Sequence, residues 1–228
     1  MHLVQETKNL FRLTRFGMIN CFLVKEDDGL TLVDTGLAGS APGIRKAARS
    51  MGAPICRIVL THAHRSHLGG LAALKRASGA KVYAHEWEAD IIAGERRAQA
   101  VTVLPKQSLK LWPFQLGVWL GRPKHVPYPP DETLDEGDAF GPLQVLHAAG
   151  HSPGHLAFWW PERRFLIAGD AVATWPELCA GWTAFNLNLQ QHHRSVRRMA
   201  ALEPAIVGVG HGDPITQDAA ERVHGLVV

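Results

Sequence analysis

The run Thr61-His62-Ala63-His64-Arg65-Ser66-His67 places three imidazoles within six residues. His62 and His64 are two apart, so on extended backbone they project to the same side. Neutral imidazole is a good ligand for zinc and other borderline divalent cations. Three further blocks follow: Gly150-His151-Ser152-Pro153-Gly154-His155, then Gly169-Asp170 after a hydrophobic run, then Gly210-His211-Gly212. A lone HxH is weak, because a buried histidine with a hydrogen-bond partner is commoner than a ligand. Recurrence is what points to a metal. Each block brings a histidine or a carboxylate beside small residues, where backbone turns tightly and approaches closely.

These residues need strands that stop at one edge, with their loops gathered in space. The pattern supplies them. Leu10–Leu13 alternates, Ile19–Val24 is an apolar run, and Asp27-Asp28-Gly29 is a hairpin signal. Leu30–Val33 leads into Asp34-Thr35-Gly36, a carboxylate at a strand end. Residues 40–50 read as a helix with Ser40 as N-cap, Ile55–Leu60 as a strand ending at the histidine run, and His67–Ala77 as a helix. Ala80–Ala84 reads as a strand and Glu86–Ala93 as a short helix. The second half repeats the style, with strands at Leu143–Leu146, Leu156–Trp160, Phe165–Ala168 and Ala205–Val209 and helices at Leu189–Leu202 and Thr216–Val223. Strand-rich halves finished by helices predict a sheet sandwich with helices outside.

The stretch from Glu95 to Pro130 breaks this style. It carries Arg96, Arg97, Lys106, Lys110, Arg122 and Lys124 against Glu95 alone, with Trp112, Phe114, Trp119 and Tyr128 among several prolines. It reads as an insertion or lid, suited either to an acidic or aromatic ligand or to covering the core.

Composition bounds the rest. A chain of 228 residues with 46% hydrophobic and 20% charged residues fits one globular domain. A formal net charge of +3 is too weak to argue for nucleic acid. No apolar run is long enough to span a bilayer. Met1 to Lys8 lacks the basic-then-apolar order of a secretory signal, so the expected location is the cytoplasm. Cys21, Cys56 and Cys179 have no CxxC spacing and read as idle thiols. No GxSxG elbow offers a serine nucleophile.

In the order strand-Asp34, HxHxSH, Gly-His151, Gly-Asp170 and Gly-His211, the chain resembles the metallo-β-lactamase superfamily over essentially its whole length, 95–130 excepted. The resemblance implies an α+β fold, a four-layer αββα sandwich, in a single domain over 1–228 with a lid-like insertion at about 95–130. It implies that His62, His64 and His151 hold a first metal, that His67 and His211 hold a second, and that Asp170 bridges them. Asp34 would support the loop that carries the histidines. His155 and His147 would stand outside the ligand set.

Ser66 departs from that pattern. In the family an aspartate at this place ligates the second metal and helps orient the attacking hydroxide. A serine hydroxyl is neutral near pH 7 and a poor ligand beside a carboxylate. The expectation is therefore one firmly bound zinc and a weak or absent second, with iron or manganese as alternative cations. Ser66 marks a natural one-metal variant, a binding protein that kept the fold, or an engineered inactivating change.

The resemblance implies hydrolysis of an ester, lactone or thioester by metal-bound hydroxide, with a small molecule as substrate and no nucleic acid or membrane partner. Trp175 and Trp182, close behind Asp170, are expected to line the pocket; Trp112, Trp119 and Tyr128 would form a lid; Trp159 and Trp160 would pack in the core. Residues 95–130 would otherwise pack against a second subunit in a homodimer. The alternatives are a single-iron oxygenase of the same fold and a catalytically weak ligand-binding member. With so short a stretch after His211, the C-terminal helical segment of the glyoxalase II-like branch is expected to be absent.

Overall fold

The computed structural model describes residues 1–98, 109–119 and 125–227, without the side chains of 117–119. They group into two compact units, one built from 1–96 and 125–135, the other from 97–124 and 136–228.

The first unit holds a seven-stranded sheet. Its strands are β1 (His2–Thr7), β2 (Leu10–Arg15), β3 (Ile19–Glu26), β4 (Gly29–Val33), β5 (Ile55–Val59), β6 (Lys81–Ala84) and β7 (Glu132–Thr133), in that spatial order. The first four strands form an antiparallel meander, and β4 to β7 run parallel. Asp27 and Asp28 make the turn between β3 and β4, as the hairpin signal predicts. All five residues of β4 are buried, which is why it reads as a continuous apolar run rather than an alternation. The parallel pairs need crossovers, and helices supply them. Helix α1 (Ala41–Ser50) joins β4 to β5 and buries Ala41, Ile44, Ala47 and Ala48, a helical spacing. Helices α2 (Arg65–Leu68) and α3 (Leu71–Ser78) join β5 to β6, and α4 (Glu86–Ile92) follows β6.

Two local readings differ from expectation. Ser40 precedes α1 but its hydroxyl makes no capping bond; it accepts instead from the Arg15 guanidinium at 2.9 Å. The helix expected over 67–77 is interrupted at Gly69-Gly70, which divides α2 from α3. The cause is contact. A Cβ at Gly69 would lie 2.3 Å from the Ala38 nitrogen, and one at Gly70 would lie 2.5 Å from the Thr35 carbonyl. The loop after β4 passes too close for any side chain.

The second unit holds a five-stranded sheet in the order β12-β11-β10-β9-β8. The strands are β8 (Ala139–Phe140), β9 (Leu143–His147), β10 (Leu156–Trp160), β11 (Phe165–Ile167) and β12 (Ile206–Gly208). Helix α5 (Trp112–Trp119) belongs to this unit, with α6 (Leu189–Ala200) and α7 (Ala219–His224). Helix α6 buries His192, Ser195, Val196, Met199 and Ala200, one face at helical period. Val196 and Met199 join Trp159, Leu166, Val207 and Val223 in the core of this unit. Helix α7 starts at Ala219 rather than Thr216. Helix α5 escapes the periodicity argument because its apolar residues Trp112 and Leu116 are exposed, while Leu111 just before it is buried.

A mixed α/β chain with two sheets is thus what the sequence predicts and what the structure shows. The lid-like insertion falls partly outside the described residues, including Lys106, Arg122, Lys124 and the Trp119 side chain. Arg96, within them, pairs with Asp90 at 2.6 Å. No helix among the described residues is long and apolar enough to cross a membrane.

Candidate metal centre

In the first unit, parallel pairing decides where the chemistry sits. Val33 pairs with Val59, and Val59 with Tyr83, so β4, β5 and β6 end at one edge of the sheet. The loops leaving that edge carry Asp34, then His62 to His67, then the segment that begins α4. Asp34 adopts φ 62°, a left-handed conformation that aspartate tolerates better than most residues. That turn aims its buried carboxylate back at the histidine loop. Asp34 Oδ1 accepts the Thr61 backbone N–H at 2.8 Å, and Oδ2 accepts the Thr61 hydroxyl at 2.9 Å. Asp34 Oδ2 also receives His67 Nδ1 at 2.8 Å. The His67 carbonyl in turn accepts the Thr35 backbone N–H at 2.6 Å and the Thr35 hydroxyl at 2.7 Å. Burial, with the Asp34 charge second, pushes the nearby Cys21 thiol far above the usual cysteine range. It is an inert buried thiol, as expected.

The histidine atoms then converge within this unit. His62 Nδ1 meets the Thr61 hydroxyl at 3.0 Å, and its Nε2 lies 2.9 Å from His64 Nδ1. The His62 and His67 rings are 4.3 Å apart. His62 and His67 are fully buried and His64 is half-buried. Ser66 is half-buried on α2 beside them. Glu88 is a residue that sequence reasoning missed. Its buried carboxylate accepts the Ala63 N–H at 2.9 Å and so holds the middle of the HxH. A glutamate inside a short amphipathic helix gives no sequence signal of that contact.

The second unit repeats the device. Ile167 of β11 pairs with Gly208 of parallel β12, so both strands end together. Strand β9 runs the same way, being antiparallel to β10, which is antiparallel to β11. The loops after β9, β11 and β12 carry His151, Asp170 and His211 from that shared edge. Asp170 Oδ2 lies 3.3 Å from His211 Nε2 and 3.7 Å from His151 Nε2. All three residues are buried. His155 receives the Asp170 backbone N–H on Nε2 at 3.1 Å, a supporting position outside that trio. His147 accepts no such place; its Nε2 meets the Pro153 carbonyl at 2.7 Å. His151 Nδ1 is held by Asn186 Oδ1 at 2.8 Å. Asn186 is the second residue the sequence did not disclose, since it lies 35 positions from its partner.

The aromatic residues separate into two places. Trp182 stacks on the His211 ring at 4.3 Å, its indole N–H donates to the Trp175 carbonyl at 2.8 Å, and Phe114 of α5 packs against both tryptophans. Tyr128 belongs to the first unit, where its ring faces the Lys75 ammonium at 5.5 Å. Trp112 is exposed, and Trp159 and Trp160 are buried.

The donor chemistry of both sets fits a divalent metal. Ligand atoms about 2.0–2.1 Å from a tetrahedral zinc stand roughly 3.3 Å from each other. The His62–His64 and Asp170–His211 separations of 2.9 and 3.3 Å are close to that edge length. Metal-binding histidines also engage the far ring nitrogen with an oxygen acceptor, which fixes tautomer and ring angle. His62, His67 and His151 each do so, through Thr61, Asp34 and Asn186.

Comparison with known proteins agrees on the lineage. Residues 14–211 match the family model described as "Metallo-beta-lactamase superfamily", and the chain belongs to that superfamily. It is 31% identical to the uncharacterized protein YobT of Bacillus subtilis (strain 168), over 92% of this chain and 91% of that one. It is 27% identical to a hydroxyacylglutathione hydrolase of Bdellovibrio bacteriovorus, over 75% of this chain but 53% of that one. The crystal structure of TTHA1623 in a di-iron-bound form superposes with a TM-score of 0.67 at 26% identity, covering 93% of this chain and 96% of that one. The metallo-β-lactamase fold expected from the motifs is therefore the fold of this chain.

Proposed function

We propose that the chain is a metal-dependent hydrolase that opens the acyl bond of a small ester, lactone or thioester. In this reading His62, His64 and His151 would hold one zinc, His67 and His211 would serve a second, and Asp170 would be a ligand shared by both. One observation carries it. Each of His62, His67 and His151 has its far ring nitrogen engaged by a side-chain oxygen, so each ring is fixed for ligation. A bound divalent cation would supply a water acidic enough to ionise near neutral pH and would polarise the scissile carbonyl.

The chain's own residues do the rest. Asp34 and Glu88 hold the histidine loop from two sides, which keeps the ligand atoms in place without rearrangement on binding. Trp175 and Trp182 present an apolar surface beside His211 that suits the arm of an acyl substrate. Ser66 leaves the second position one negative charge short, so that position fills weakly. The likeness to a hydroxyacylglutathione hydrolase supports a thioester as the first substrate class to try.

The test is elemental analysis of the purified chain, followed by a panel of thioesters, lactones and chromogenic esters. About one zinc per chain with turnover on an acyl substrate is the expected result. A chain without tightly held metal that retains a copurifying ligand is a binding protein instead. A second reading rests on TTHA1623, whose structure is di-iron-bound. Iron in place of zinc, with oxygen consumed during turnover, identifies an oxygenase.

A further inference from the structure

We infer that Asn186 and His192 are positioning residues for His151, acting as a strap from α6 through the Ala180 carbonyl. The inference rests on the reading of His151 as a metal ligand and names what sets its ring. Three hydrogen bonds form the strap. His192 Nε2 donates to the Ala180 carbonyl at 2.8 Å. Asn186 Nδ2 donates to the same carbonyl at 3.1 Å. Asn186 Oδ1 then accepts from His151 Nδ1 at 2.8 Å.

The order of these bonds decides the chemistry. An amide side chain offers an N–H₂ donor on one side and a carbonyl acceptor on the other. Because the Ala180 carbonyl accepts from Nδ2, the atom left to face His151 is the oxygen. An oxygen there requires the N–H on His151 Nδ1, which places the ring's lone pair on Nε2, the nitrogen nearer Asp170. His192 donates into the same carbonyl from a fully buried position on α6, so it anchors the acceptor that orients Asn186.

Backbone contacts fix the spacing. Leu187 N–H donates to the His151 carbonyl at 3.3 Å, and Asn188 N–H donates to the Gly150 carbonyl at 2.9 Å. The Asn188 side chain then caps α6 by accepting from the Gln191 N–H at 3.0 Å. The segment bearing Asn186 is therefore joined to the loop bearing His151 by two backbone bonds from the residues just after Asn186, beside the side-chain bond. Gly150 permits this approach, because a Cβ there would lie 2.2 Å from the His192 nitrogen.

The experiment compares zinc affinity, by competition with a chromophoric chelator, in wild type, Asn186→Leu, Asn186→Asp, His192→Phe, His192→Gln and His151→Ala. Asn186→Leu removes the acceptor and should weaken zinc by roughly 10–100-fold. Asn186→Asp keeps the acceptor toward His151 but loses the donor to the Ala180 carbonyl, so it should recover only part of the Asn186→Leu loss. His192→Phe should fall between wild type and Asn186→Leu, and His192→Gln, which can still donate, should recover part of the loss. Nitrogen-15 NMR of the histidine rings supplies a readout that general destabilisation would not move: the His151 Nδ1–H should exchange with water much faster in Asn186→Leu and stay protected in Asn186→Asp. Should Asn186→Leu fail to fold, Asn186→Ser, too short to reach, takes its place. Wild-type affinity in the acceptor-less variant, while His151→Ala loses zinc, overturns the strap and leaves the metal reading standing. Undiminished zinc in His151→Ala overturns both.

Discussion

The Glu88 carboxylate accepts the Ala63 backbone N–H across 25 residues of sequence, and through it α4 holds the turn between His62 and His64. Glu88 is 1% exposed, so this acceptor is removed from water. Losing the acceptor strands the Ala63 donor away from water, at a cost of about 1–3 kcal/mol. Glu88→Ala should lower the melting temperature by about 5–10 °C and weaken zinc binding, whereas Glu88→Gln, which keeps an oxygen at the same reach, should lose less of both. Thermal unfolding and zinc titration of the two variants decide it. Equal damage from Ala and Gln would assign Glu88 to packing alone.

Restoring the family carboxylate at position 66 tests the second metal position. Ser66 lies on α2, one residue from His67. Ser66→Asp adds a negative charge and an oxygen ligand where a neutral hydroxyl stands. Metal content should rise from about one toward two per chain, and hydrolytic rate should rise on the order of tenfold. Unchanged stoichiometry and rate would remove Ser66 as the limiting feature of this site.

The candidate ligands were legible in the sequence because metal chemistry constrains their residue types tightly, and their strand-end positions because small residues punctuate the apolar runs. Asp34, His62, His151, Asp170 and His211 could all be picked out that way. Glu88 and Asn186 could not. Each acts through one long-range hydrogen bond, and nothing in the local pattern distinguishes a buried glutamate on α4 from a solvated one. Helix α5 was hidden for a different reason: Trp112, Phe114 and Leu116 fall two apart in the sequence, a spacing that marks no helical period. The break at Gly69-Gly70 came from the 35–38 loop pressing on the helix, a tertiary contact that local propensity does not contain.

Gly150 is the most constrained backbone position near His151. Its φ is +129°, and a Cβ there would lie 2.2 Å from the His192 nitrogen and 2.4 Å from its Cα. Neither obstacle is a flexible side-chain tip, so the loop or α6 must move. Gly150→Ala should cost roughly 3 kcal/mol or more in urea unfolding. It should also weaken zinc more than the stability loss alone accounts for, because the displaced loop carries His151. A variant as stable as wild type would mean that the 150–192 approach is looser than the structure has it.

His192 gives the fold a defined sensitivity to acid. Burial first, with the neighbouring His193 charge second, lowers its pKa from 6.5 to about 4, against which its bond to the Ala180 carbonyl works. The ring is therefore neutral in the native chain at pH 7 and binds a proton more readily once unfolded. Between the two values the unfolded state holds more protons than the native state, so stability rises with pH there. Its contribution is present in full above about pH 6.5 and is lost progressively as pH falls toward 4, on the order of 3 kcal/mol across that interval. His192→Phe has no such proton to bind. Urea midpoints of wild type and His192→Phe, taken at half-unit steps from pH 7.5 to 4, should converge as pH falls, with wild type losing stability faster. Parallel profiles for the two proteins would show that His192 titrates alike in both states and that the ring is not held neutral by burial.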